Sequence, residues 1–139
     1  MTFLIDTSAL VRVTRHQVRE EWVDLVDRGL VLICDPVLTE TLAIADAKRY
    51  DDIERRLMRM YPWVPVPDDA WEIVASMRRE LAKHSAHSAL SVADYLVAAT
   101  AVKRGLTILH EDGDFVTTSR LVPLVQQHRV SEPPSVDVP

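Results

Sequence analysis

The sequence predicts an α/β fold, three-layered α/β/α with a mainly parallel central sheet. Three observations predict it. Phe3-Leu4-Ile5, Leu30 to Cys34 and Leu106 to Leu109 are short apolar runs with the length and composition of buried strands. Longer segments with apolar residues at helical spacing separate them. The resulting order, β-α-α-β-α-α-(β)-α-α-β, joins the strands by long helical crossovers, as parallel sheets require.

The elements follow in chain order. Phe3-Leu4-Ile5 ends abruptly in Asp6, and Thr7 or Ser8 is placed to cap a short helix, Ser8 to Arg15. Val18, Trp22, Leu25 and Val26 give a second helix that stops at Gly29. Leu30 to Cys34 is the second strand, with Asp35-Pro36 as its stop. Thr39 caps a third helix and puts Glu40 in its first turn. Tyr50 to Tyr61 is a fourth helix, with Ile53, Leu57 and Met60 inward and Arg55, Arg56 and Arg59 outward. Trp63 to Pro67 carries two prolines, so it is a short edge strand or a loop. Asp68 or Asp69 caps the next helix, whose apolar face is Ala70, Val74, Met77 and Leu81. Ser91-Val-Ala-Asp94 has the spacing of a capping box. The helix it opens is Ala-rich, apolar on most sides and stopped by Gly105, so it is expected to be buried. Leu106 to Leu109 opens into His110-Glu-Asp112-Gly-Asp114-Phe115. Leu121 to Val125 is a last strand or a helix; periodicity leaves both open.

Residues 1–130 are expected to form one domain, and the proline-bearing segment 131–139 a mobile tail. No apolar run approaches the ~18–20 residues that cross a bilayer, and Phe3-Leu4-Ile5 is too short for a signal-peptide core. A soluble cytoplasmic protein is the expectation. The one cysteine, Cys34, sits in an apolar run and is read as a buried, inert thiol. A formal net charge of −5 argues against coating nucleic acid with a basic surface. It does not argue against a nuclease, because a carboxylate site is negative until a cation fills it.

In a parallel sheet all carboxyl ends share one edge, where ligands of open α/β folds bind. Asp6 follows the first strand, Glu40 opens the helix after the second, and Asp112 follows the Leu106 strand. Asp94 joins them if its helix starts at that rim. Each has an ordinary reading alone: a polar stop, a first-turn acid favouring the helix dipole, the far member of a capping box, a loop acid. Together on an apolar scaffold they repel one another and lose solvation, a cost that a divalent cation offsets. All-oxygen ligands select hard ions, hence Mg²⁺ or Mn²⁺. Such ions activate water and stabilise charge on a phosphodiester under attack.

With Asp6-Thr-Ser8-Ala-Leu10, Glu40, Ser91-Val-Ala-Asp94 and Leu109-His-Glu-Asp112-Gly-Asp114-Phe115 in view, the chain resembles the PIN-domain ribonucleases, and more closely the VapC toxins of type II toxin–antitoxin pairs. The resemblance covers about residues 1 to 130. It implies a Mg²⁺- or Mn²⁺-dependent endoribonuclease with Asp6 and Asp94 as principal metal ligands. Glu40 and Asp112 would complete the acidic cluster directly or through water. Ser8 would orient the site near Asp6, and Asp114 matches a further acid of the late motif. It also implies a homodimer and a small antitoxin that blocks the acidic groove, with the Arg-bearing helix of residues 50–61 as an arm for antitoxin or RNA.

Arg12, Arg15 and Arg19 are placed to reach RNA phosphates from the rim, or are plain surface charges. His16 and His110 are read as structural or solvent-facing. Trp22 and Trp71 are expected to pack, and Trp63 to face an interface. Two other readings differ in class. A receiver-like phosphoacceptor domain needs an early adjacent acidic pair, but Thr7 follows Asp6. A haloacid-dehalogenase-like phosphatase needs a second Asp where Ser8 stands. An inactive PIN fold that only binds RNA or protein shares the architecture, but all four acids are present. The sequence does not name the RNA, the antitoxin or the number of ions.

Overall fold

The computed structural model describes residues 1–135. In chain order the elements are β1 (Phe3–Ile5), α1 (Thr7–Thr14), α2 (Glu20–Asp27), β2 (Val31–Leu32), α3 (Asp35–Ala43), a 3₁₀ turn (Ala47–Arg49), α4 (Tyr50–Met60), α5 (Ala70–Ala82), α6 (Val92–Arg104), β3 (Thr107–His110), α7 (Gly113–Leu121) and β4 (Gln126–Arg129). The four strands form one sheet in the order β2-β1-β3-β4, and every pairing is parallel. Register pairs Leu4 with Leu32 and with Ile108, and His110 with Arg129. All residues of β1 and β3 are buried. Successive side chains point to opposite faces, so both faces of these central strands are covered by helices, which makes three layers.

Local chemistry explains most boundaries. Helix α6 begins with a complete capping box: Ser91 Oγ accepts from the Asp94 N–H at 3.1 Å, and Asp94 Oδ2 accepts from the Ser91 N–H at 3.1 Å. It ends at Gly105, whose φ of +67° is the left-handed conformation that only glycine takes freely. Its buried stretch, Val97 to Ala101, is mostly small side chains, which let it pack between α3, α5 and β3.

Several boundaries differ from the expectations. Asp6, not Thr7 or Ser8, is the N-cap of α1. The second strand ends before Asp35-Pro36 as expected, but that pair also opens α3, whose N-cap is Cys34 rather than Thr39. Proline costs nothing in a first turn, where its missing N–H has no partner in any case. Glu40 therefore lies in the second turn of α3 rather than the first. The second strand is shorter than expected; Ile33 instead bridges Trp63, which bears out a short edge segment there.

Helix α7 was not expected, and β4 lies beyond the Leu121–Val125 stretch where a last element was placed. Both are polar, and both are held by specific partners rather than by an apolar stripe. Phe115 and Thr118 anchor α7. Gln127 and Arg129 hold β4 to residues of the β3 end. Trp22 is fully buried, edge-on to Phe3 and His128. Trp71, expected to pack, is 62% exposed, because it lies one residue off the Ala70-Val74-Met77-Leu81 face.

The segment expected to be mobile from residue 131 is tied at its start. Ser131 N–H donates to Glu111 Oε1 at 2.9 Å, and Trp22 Nε1 donates to the Glu132 carbonyl at 2.8 Å. The rest of that segment, 136–139, lies outside the described residues. No helix among the described residues is long and apolar enough to cross a membrane.

Candidate active site at the carboxyl edge of the sheet

Asp6 is delivered by the end of β1 and is 4% exposed. Its Oδ2 accepts from Ser8 Oγ at 2.7 Å and from the Ser8 N–H at 3.2 Å. Burial pushes its carboxyl up to about 6; the Ser8 hydrogen bonds oppose this, and the charge of Asp94 adds to it. No ion pair reaches Asp6 among the described residues. Asp94, in the first turn of α6, is half-buried. Its carboxyl is raised by burial and by the charges of Asp112 and Glu40, against the hydrogen bonds from Ser91. Asp114 is raised by burial and by Asp112. Asp94 is therefore within electrostatic reach of each of Asp6, Glu40 and Asp112, which come from the turn after β1, from α3 and from the turn after β3.

Each of these carboxylates spends one oxygen on local order. Asp6 Oδ2 takes Ser8. Asp94 Oδ2 takes the Ser91 N–H. Asp112 Oδ1 takes the Asp114 N–H at 2.9 Å. Glu40 Oε1 takes the Thr7 hydroxyl at 2.5 Å. The second oxygen of each carries no hydrogen bond of good geometry from the described residues. The set is thus anchored, mutually repelling and still has oxygens to give. Among the described residues no group of three His, Cys, Asp or Glu side chains is placed to hold a metal ion by itself. Asp114 contributes its backbone N–H to the cap of α7, and Ser8 Oγ links Asp6 to the Glu111 N–H at 2.9 Å.

Three further residues support the site; of these, the sequence reads His110 as structural or solvent-facing and gives Thr7 and Glu111 no such role. Thr7 ties α1 to Glu40 on α3. His110 is fully buried, and its Nδ1 accepts from the Asp112 N–H at 2.9 Å. That fixes the proton on Nε2, which donates to Gln127 Oε1 at 2.6 Å. Burial holds this imidazole below its ordinary range, so it is a neutral post for the acid loop. Glu111 accepts from Arg129 and from Ser131, locking the same loop to β4. A histidine directly before an acidic turn was the available signal for the second. The other two need tertiary partners that no local pattern announces.

Acids brought by β1, α3, α6 and the β3–α7 turn to the carboxyl edge of a parallel sheet define an open α/β fold with its site on that edge. Within this class the chain belongs to the PIN-domain family, whose model matches residues 3–121. Among curated relatives it is similar to ribonuclease VapC6 of Mycobacterium tuberculosis, 38% identical over 98 residues, 70% of this chain and 77% of that one. It is also similar to ribonuclease VapC2 of Mycobacterium tuberculosis, 34% identical over 142 residues and 96% of each chain. Among solved structures, a chain of a toxin–antitoxin complex from Klebsiella pneumoniae superposes with a TM-score of 0.64. It is 19% identical, with 89% of this chain and 95% of that chain covered, a likeness of fold.

Proposed function

We propose that this protein is an endoribonuclease toxin of a toxin–antitoxin pair that hydrolyses RNA phosphodiesters with the help of Mg²⁺ or Mn²⁺. The observation that carries the reading is Asp6: a buried carboxylate with no cationic partner among the described residues, pushed further toward neutrality by a second acid. Such an arrangement is costly by itself and suits a site completed by a cation. The relation to the VapC ribonucleases over nearly the whole chain supports the choice of RNA.

The residues present fit a hard divalent ion. Their free donors are all oxygen, and Mg²⁺ needs only one or two carboxylates because it keeps several waters. Asp6 and Asp94 would be the principal ligands, with Glu40 and Asp112 completing the set directly or through water. When bound, the ion supplies Lewis acidity that activates water and stabilises the charge gathering on the phosphodiester. The chain supplies the positioning: Ser8 holds Asp6, Thr7 holds Glu40, and His110 and Asp114 hold Asp112. Arg12 lies close enough to Glu111 to help lower its carboxyl, so its charge stands by the rim where RNA phosphates would pass.

A small antitoxin and a second copy of the chain are the proposed partners, and residues 1–130 the nuclease unit. The test is cleavage of RNA with end mapping, in Mg²⁺ or Mn²⁺ and in EDTA, for the parent and for Asp6→Asn. Cleavage that needs the metal and the carboxylate supports the reading. A folded Asp6→Asn that cuts at the parent rate removes it. RNA binding without any cleavage by the parent would point to the inactive fold instead.

A further inference from the structure

A pocket of about 290 Å³ lies between α1, α3 and α4. Its apolar wall includes Val13, Leu57 and Met60. Three hydroxyl-bearing residues also line it, Thr14, Thr41 and Tyr61, and the last two are the ones whose buried side-chain oxygens have no hydrogen-bond partner among the described residues. Tyr61 is 1% exposed, and burial pushes its phenol up to about 12, so the hydroxyl keeps its proton. Leaving such groups unpaired is unfavourable, and native structures seldom do so without reason. His16, Arg49 and Arg56 complete the lining, and no acid does, in a chain whose net charge is −5. Neither arginine is in an ion pair or side-chain hydrogen bond among the described residues.

We propose that this pocket takes one unstacked nucleotide of the RNA, its base against the apolar wall and the Thr41 and Tyr61 hydroxyls, its phosphate toward Arg49 and Arg56. The inference rests on the ribonuclease reading for the source of the nucleotide, and it deepens that reading by giving the site a means to choose its sequence. A planar apolar body with a hydrogen-bonding edge and an anionic handle matches all three features of the lining. An apolar peptide side chain would match only the wall, leaving both hydroxyls unpaired and the arginines idle. The position fits as well. Thr41 follows Glu40 on α3, and α1 carries Thr7, the partner of Glu40, so the same two helices serve the acids and the pocket. The long, unbranched Met60 and Arg56 side chains are the movable part of the wall that admits a base to the hydroxyls.

A site that hydrogen-bonds a base discriminates strongly against one that cannot reciprocate, because its own groups are then left unpaired. Tyr61→Phe keeps the ring and removes only the unpaired hydroxyl. The unliganded variant should therefore fold and melt at or slightly above the parent temperature.

The experiment titrates the intact chain with each of the four ribonucleoside 5′-monophosphates in EDTA, following the Leu57 and Met60 methyl resonances. At least one nucleotide should shift them saturably in the parent, with affinity about tenfold weaker in Tyr61→Phe, the loss of one hydrogen bond. In end-mapped cleavage the same variant should lose its preference at one nucleotide position. No response to any monophosphate at millimolar concentration overturns the proposal. So does a response that Tyr61→Phe leaves unchanged, or one obtained only with an apolar helical peptide. If nucleotides bind through Tyr61 but the parent cuts no RNA, the pocket stands and the ribonuclease reading falls.

Discussion

Asp6 and Glu111 are two acids joined through one hydroxyl, yet their circumstances are opposite. Ser8 Oγ donates to Asp6 and accepts from the Glu111 N–H, so the two acids share a support. Burial tends to raise Glu111 too, but hydrogen bonds from Ser131 and Arg129 and the field of Arg12 outweigh it and lower its carboxyl. Asp6 has Ser8 but no cation, and its carboxyl rises to about 6. Glu111 is thereby a structural acid, closed on itself. Asp6 is left in debt to a partner that the fold does not provide. The difference teaches how to read acids on a rim: what separates a fastening from a candidate ligand is the presence of a resident cation, not the depth of burial.

The comparison breaks most sharply in activity. Asp6→Asn, or Asp94→Asn, should lower RNA cleavage by roughly a thousandfold at saturating Mn²⁺, while Glu111→Gln leaves substantial rate; initial rates on one end-labelled RNA measure both. Equal losses at Asp6 and Glu111 would erase the distinction.

Stability comes next, with opposite signs. A shift from 3.8 to about 6 at a group 4% exposed amounts to about 3 kcal/mol held against the metal-free fold at neutral pH. Asp6→Asn should recover about 2 kcal/mol of it in urea unfolding with EDTA present, and added Mn²⁺ should stabilise the parent but not the variant. Glu111→Ala should instead cost about 2 kcal/mol, since it strips the partners of Arg129 and the Ser131 N–H.

The pH profile of the metal-free protein sharpens the same contrast. Asp6 is raised in the fold, so its favourable contribution is complete below about 4 and is lost as pH rises through about 6. Glu111 is lowered, so its contribution is present above its ordinary 4.5 and is lost as pH falls through its folded value. From these two groups maximal stability is therefore expected at about pH 4 to 4.5, and Asp6→Asn should flatten the alkaline side alone. The smallest effect belongs to a position remote from both acids. Gly105→Ala forces a side chain into the left-handed region and should cost about 1 kcal/mol with cleavage unchanged.

How much of this was legible in the sequence follows from which forces hold each part. The central strands, the Ser91–Asp94 capping box, the Gly105 stop and the burial of α6 rest on local composition, and local composition shows them. Asp35-Pro36 misled because proline ends a strand and begins a helix with equal ease; only the turn after it decides. β4, Gln-Gln-His-Arg, carries no apolar alternation. Its register comes from Gln127 on His110 and Arg129 on Glu111, partners more than fifteen residues away. At the site, parallel topology alone placed Asp6, Glu40 and Asp112 at one edge. It could not show that each would give one oxygen to a neighbour, nor that Glu111, next to Asp112, would be closed by an arginine.

The tether from Trp22 to the Glu132 carbonyl has a practical side. After β4 reaches the acidic rim, this bond leads the backbone down past α2, until Pro133, Pro134 and Ser135 border the same hollow as Met1, Phe3 and Leu30. Both ends of the described chain thus stand at the amino edge, across the sheet from the carboxylates. An affinity tag or fluorescent fusion attached at either of these ends would leave the proposed catalytic face open. A short linker between the two ends would give a circular permutant, reopened in the exposed turn around His84 to Ser88, that keeps every acid in place.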